Sequence, residues 1–143
     1  MLKNIPKALS PELLKILCEM GHGDEIVIAD GNFPSSSMNT RVIRADGIHA
    51  SVILDGILTL MPLDQYDSNN FILMEVVKGD KVVPVIWKEY EDILAKYEPN
   101  AHIDKIERFM FYERAKKAYA IIATGEPAQY ANIILKKGCI IGE

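Results

Sequence analysis

The chain has 143 residues, 49% of them apolar, and a formal net charge of -4 with acidic and basic residues interspersed. That length suits one domain over residues 1–143, with enough apolar residues for a buried core. No basic block is present, which argues against a nucleic-acid or anionic membrane partner.

Ser10-Pro11-Glu12 has the form of a helix start, with a capping oxygen followed by a proline at the first helical position. Leu13, Leu14, Leu17 and Met20 then recur at helical spacing, and Gly21 ends the element. Glu25 to Asp30 reads as a short strand closing on an acid. Asn32, Pro34 and Ser35 to Ser37 read as a polar loop, and Arg41 to Arg44 as a second strand. His49 to Leu60 has helical periodicity and is stopped by Pro62. Phe71 to Val77 is a strand, Gly79-Asp80 a turn, and Pro84 to Tyr97 an amphipathic helix. Ile103 to Glu107 is a short strand, Phe109 to Ala118 a helix and Tyr119 to Ala123 a strand. Gly125-Glu126-Pro127 breaks the chain before a last strand that begins at Asn132. Helices alternating with short apolar strands predict a layered α/β domain with a mostly parallel sheet.

No stretch approaches the ~18 apolar residues of a membrane span. The N-terminus lacks the apolar core and cleavage site of a signal peptide. Cys18 and Cys139 lie far apart without CxxC spacing, so reduced thiols and a cytoplasmic location are expected. The phosphate-binding, dinucleotide and nucleophile-elbow motifs are missing. His22, His49 and His102 are scattered, without metal-ligand spacing, so neither metal nor cofactor is expected. His49 reads as a helix-entry residue and His102 as a loop residue.

Three places could carry chemistry. His22 is flanked by Gly21 and Gly23 at a helix-to-strand junction, where glycines leave the imidazole uncovered. An imidazole gives and takes protons near neutral pH. Asp30 closes the following strand, at the edge where open α/β sheets bind ligands. Arg108 to Arg114 mixes charge with aromatic rings, as sites for polyhydroxylated ligands do. Tyr130-Ala131-Asn132 brings side chains that donate and accept hydrogen bonds. Each also fits a plainer role: a capping or surface group, a core-facing aromatic stripe, and a turn before a strand.

Taken together, GHGDEIVIAD with NFP, VIRADG, FYERAKKAYAIIATGE and YANIILKKG resemble, in order and spacing, the fucose branch of the ribose pyranase/fucose mutarotase family. The likeness runs over nearly the whole chain and includes SPELLKILCEMGHGDE. Asn32 stands where many members of that branch have histidine, and Ala131 where glycine is frequent. The resemblance implies a three-layer α/β/α domain with a mostly parallel, mixed sheet, assembled into decameric rings with sites near subunit contacts. It implies interconversion of the anomers of a free monosaccharide, L-fucose in this branch. Ribose pyranase activity and non-catalytic sugar binding are the alternatives. His22 falls on the catalytic proton donor. Asp30, Arg108, Tyr130, Ala131 and Asn132 fall on substrate-binding positions. These groups are expected to meet in one water-accessible hollow, with Asp30 either binding sugar or orienting His22. Tyr119 or Phe111 is the expected cover for the sugar's methyl group.

Overall fold

Helix α1 (Pro11–Glu19) starts as the sequence dictates: the Ser10 hydroxyl accepts the Leu13 N–H at 3.1 Å, and Pro11 occupies the first turn. These contacts come from a computed structural model, which describes residues 1–142. The remaining elements are β1 (Glu25–Ala29), α2 (Ser35–Met38), β2 (Val42–Ala45), α3 (Ala50–Leu60), β3 (Phe71–Met74), α4 (Ile86–Tyr97), β4 (Asp104–Ile106), α5 (Arg108–Lys117), β5 (Ala120–Thr124) and β6 (Ile133–Lys136). Among the described residues no helix is long and apolar enough to cross a membrane.

The strands form one six-stranded sheet in the order β2-β5-β1-β6-β3-β4. All neighbours are parallel except β6, which runs antiparallel to β1 and β3. Its reversal follows from chain length. Only residues 125–132 join β5 to β6, and a parallel crossover needs about a dozen residues or more. β1 lies between β5 and β6, with Val27 opposite Ile121 on one side and Ile134 on the other.

Strand residues alternate between two apolar layers, as the pleat requires. Ile26, Ile28, Phe71, Leu73, Ile133 and Leu135 pack with α1, α3 and α4. Val27, Ala29, Ile72, Met74, Ile121 and Ile134 pack with Phe111 and Ala115 of α5, with Phe33 and Met38 against them. The result is the expected α/β/α layering with a mixed, mostly parallel sheet. Helix α2 lies in the stretch expected to be a polar loop. It is a single turn of SSSM, too short to display a periodicity.

Two glycines hold the sheet ends close to neighbouring loops. A Cβ on Gly125 would overlap the Asp46 carbonyl, and one on Gly138 would overlap the Leu63 carbonyl. The first tightens the carboxyl ends of β5 and β2. The second draws β6 against the segment after α3.

Candidate active site

β1 and β5 end together at the carboxyl edge, and the reversed β6 begins there. This delivers Asp30, Asn132 and the loop before Asn132 to one place. A hollow of about 250 Å³ opens between them, lined also by Asn32, Phe33, Arg108, Tyr112 and Tyr130. Met74, Val77 and Asp80 also line it.

Asp30 is only 7% exposed. Its backbone N–H donates to the Asn132 side-chain oxygen at 2.8 Å, and its carboxylate accepts the Asn32 N–H at 3.0 Å. Burial pushes its carboxyl pKa above the ordinary range, opposed by N–H groups of Asn32, Phe33 and Ala131 and by the Asn132 side chain. Arg108, at the first position of α5, donates from Nε to the Tyr112 hydroxyl at 3.0 Å, one helical turn on. Phe33 meets Tyr112 edge-on at 5.7 Å between ring centres. Ala131 is fully buried and does not line the hollow; its carbonyl accepts the Tyr90 hydroxyl at 2.8 Å. The buried Glu126 secures the loop from behind. Its carboxylate accepts the Ala50 N–H at 3.2 Å and the Ala128 N–H at 3.1 Å and pairs with His49. The Gly31 N–H donates to its backbone carbonyl at 2.8 Å.

His22 lies elsewhere. It precedes β1, whereas Asp30 follows it, and five strand residues span roughly 16 Å. Its Nε2 is 2.9 Å from Asp64 Oδ1. Asp64 is 6% exposed at its side chain while His22 is 45% exposed, so the carboxylate is sheltered and the ring is open. With the Nε2 proton donated to Asp64, Nδ1 has no partner among the described residues. Burial opposes ionisation of Asp64. The Tyr66 N–H and the His22 ring outweigh it, so its pKa lies below the ordinary value. Tyr66 also sets its ring 5.4 Å from the imidazole. The C-terminal end of β6 braces this arrangement. Lys137 exchanges backbone hydrogen bonds with Gly23 and Asp24, and its ammonium reaches the carbonyls of Leu17, in the last turn of α1, and of its capping residue Met20 at 2.7 and 2.5 Å.

Asp30, Arg108, Tyr130, Ala131 and Asn132 therefore converge within one copy, and His22 does not join them. The carboxylate that orients the imidazole is Asp64, not Asp30. Neither expected ring reaches the hollow: Phe111 is sealed in the core, and the Tyr119 hydroxyl donates to Glu19. The rings present are those of Phe33, Tyr112 and Tyr130. Tyr112 belongs to the Arg108 to Arg114 stretch that the sequence marks as a candidate, whereas Asp64 does not stand out in it. Tyr112 had a signal, lying one turn after Arg108. Asp64 had only its place after a proline-stopped helix.

A small polar hollow at the carboxyl edge of a layered α/β sheet, with one cation, one buried acid and several neutral hydrogen-bonding groups, is suited to a small polyhydroxylated ligand. The chain belongs to the RbsD / FucU transport protein family, whose model matches residues 3–140. It is 52% identical to a fucose mutarotase of Mus musculus, over 97% of this chain and 95% of the relative. It is 48% identical to an L-fucose mutarotase of Actinobacillus pleuropneumoniae serotype 5b (strain L20), over 96% of each. The fucose mutarotase of Streptococcus pneumoniae, solved in complex with L-fucose, superimposes with a TM-score of 0.93 at 52% identity, covering 98% of this chain and all of that one.

Proposed function

We propose that this chain is an L-fucose mutarotase, interconverting the α and β anomers of the free sugar by acid/base-assisted ring opening. The observation that carries the reading is the polar hollow at the carboxyl edge, in a chain 52% identical to a fucose mutarotase solved with L-fucose. At about 250 Å³ it is smaller than the ~300–1,000 Å³ of drug-sized ligand pockets and suits a single sugar ring.

Ring opening removes the proton from the anomeric hydroxyl, breaks the bond from the anomeric carbon to the ring oxygen, and gives the ring oxygen a proton. The aldehyde turns about its bond to the next carbon and recloses by the reverse transfers. Positioned acid and base groups accelerate such steps by roughly 10²–10⁴-fold. Asp30 accepts a sugar hydroxyl, Arg108 and the Asn132 side chain donate to others, and the Tyr112 hydroxyl, accepting from Arg108, keeps its own proton to give. The proton-transfer role of His22 is met by a neighbouring copy, whose exposed imidazole, oriented by its own Asp64, enters the hollow. On this reading residues 1–143 work as one domain in a closed cytoplasmic homo-oligomer, a decamer as in the family it resembles, and neither metal nor cofactor takes part.

Saturation-transfer NMR between the α and β anomer signals of L-fucose tests the function. The protein should raise the exchange rate, and His22→Ala should lose most of the increase. Sugar binding without faster exchange would make the chain a binding protein. Faster exchange of ribose than of fucose at equal enzyme concentration would make it a ribose pyranase.

A further inference from the structure

Tyr130 has a left-handed backbone, with φ of 56°. A residue with a Cβ holds that conformation only where its surroundings over-determine it. Here one stretch of chain, from the end of β3 into α4, grips the turn at four points. Trp87 Nε1 donates to the Tyr130 carbonyl at 2.8 Å. One helical turn further on, the Tyr90 hydroxyl donates to the Ala131 carbonyl, also at 2.8 Å. The Tyr130 hydroxyl donates to Asp80 Oδ2 at 2.6 Å and accepts the Val77 N–H at 3.2 Å. Asp80 is itself held, because its other oxygen accepts the Val82 N–H at 3.1 Å.

We propose that Asp80, Trp87 and Tyr90 are positioning residues for the sugar-binding turn: α4 fixes the carbonyls of Tyr130 and Ala131, and Asp80 latches the Tyr130 phenol to the segment that walls the hollow. The proposal deepens the sugar-site reading and rests on it. It also changes what Tyr130 offers a ligand. A phenol has one proton to donate, and Asp80 takes it. The Val77 N–H occupies one acceptor position, so what remains for the sugar is the ring and a second, weaker lone pair. The same latch holds Val77, through its N–H, at the wall of the hollow.

Trp87 is the only tryptophan in the chain, so intrinsic emission reports on the turn itself. Titration of the assembled protein with L-fucose should change that emission. Asp80→Ala should weaken the titration by about tenfold, the loss of one hydrogen bond to a charged group. Asp80→Asn keeps an acceptor oxygen and should lie near wild type. In anomer exchange, Asp80→Ala should raise KM and leave kcat within about twofold, a split that follows from lost uniform binding. Tyr130→Phe combined with Asp80→Ala should be no worse than Tyr130→Phe alone, since the two act through one contact. Wild-type affinity in Asp80→Ala, or additive losses in the double variant, would overturn the latch.

Sugar-free NMR separates this from a failure of the functional reading. If fucose does not bind wild type, the sugar site is wrong. The Val77 amide and the Tyr130 phenol carbon should still lose their hydrogen-bonded signatures in Asp80→Ala, and unchanged signals there would refute the latch itself.

Discussion

The Asn132 side-chain oxygen accepts the Asp30 backbone N–H at 2.8 Å, joining the last residue before β6 to the first residue after β1. The two strands are antiparallel neighbours, so this bond closes their ladder at its ligand end with a side chain in place of a backbone carbonyl. Both residues are buried. Asn132→Ala removes the acceptor and leaves a buried N–H unpaired, which costs about 1–3 kcal/mol. Chemical denaturation should show that loss, accompanied by a higher KM for fucose. An unchanged midpoint would mean that water or a shifted loop takes over the bond.

Asp30 carries a penalty of its own. Its folded pKa is raised by burial, so the folded state resists the charge that the unfolded chain accepts freely. A raised acid adds stability below its unfolded pKa, and that contribution is lost as pH rises through the folded value. Above that value the folded protein holds a carboxylate that burial disfavours. Asp30→Asn should be more stable than wild type at pH 7, and the advantage should shrink as pH falls and vanish below the ordinary carboxylate range. Thermal unfolding at fixed protein concentration across that range is the check. The same variant should lose sugar binding, as residues retained for function against stability do.

The separation of His22 from Asp30 along β1 makes a mixing experiment decisive. His22→Ala and Asp30→Ala should each be inactive in anomer exchange. Dissociated together and reassembled, they should recover activity, because some hollows then combine an intact acid from one copy with an intact imidazole from another. No recovery from a properly reassembled mixture would show that each copy uses its own His22.

Asp64 should control the imidazole without touching sugar in its own copy. Asp64→Asn retains an oxygen that can accept from His22 Nε2 and loses the charge that stabilises a protonated ring. The exchange rate should fall, and a rate identical to wild type would separate Asp64 from the chemistry.

Gly125→Ala should be among the most disruptive single-methyl changes. The added carbon meets a backbone carbonyl of Asp46, which has no rotamer to escape into. Overpacking of this kind costs about 1–3 kcal/mol or more. The variant should unfold at lower denaturant concentration and lose the site that Glu126 braces.

Most elements could be read from the residues because apolar periodicity and punctuation are local properties. Ser10-Pro11 begins α1, Pro62 follows α3, and Gly125-Glu126-Pro127 follows β5. The direction of β6 was also within reach, since eight residues, 125–132, cannot make a crossover. The two ends of the site were legible only in part. A glycine-flanked histidine before a strand and an acid after it are visible in GHGDEIVIAD, but a rigid strand cannot fold them into one hollow. The partners that orient them come from far along the chain: Asp64 lies 42 residues from His22, and Asn132 lies 102 residues from Asp30. Trp87 and Tyr90 gave no sign of their work, because an amphipathic helix looks the same whether its polar atoms meet water or a strained turn.

Reversal of β6 has a mechanical corollary. The strand begins beside Asn132 and ends in the lysines that brace the His22 and Asp64 loops, so a stiff rod four residues long runs from the hollow to the exposed imidazole at the other edge of the sheet. On the proposed assembly, a load taken up at the hollow of one copy is carried along that rod to the imidazole offered to the next.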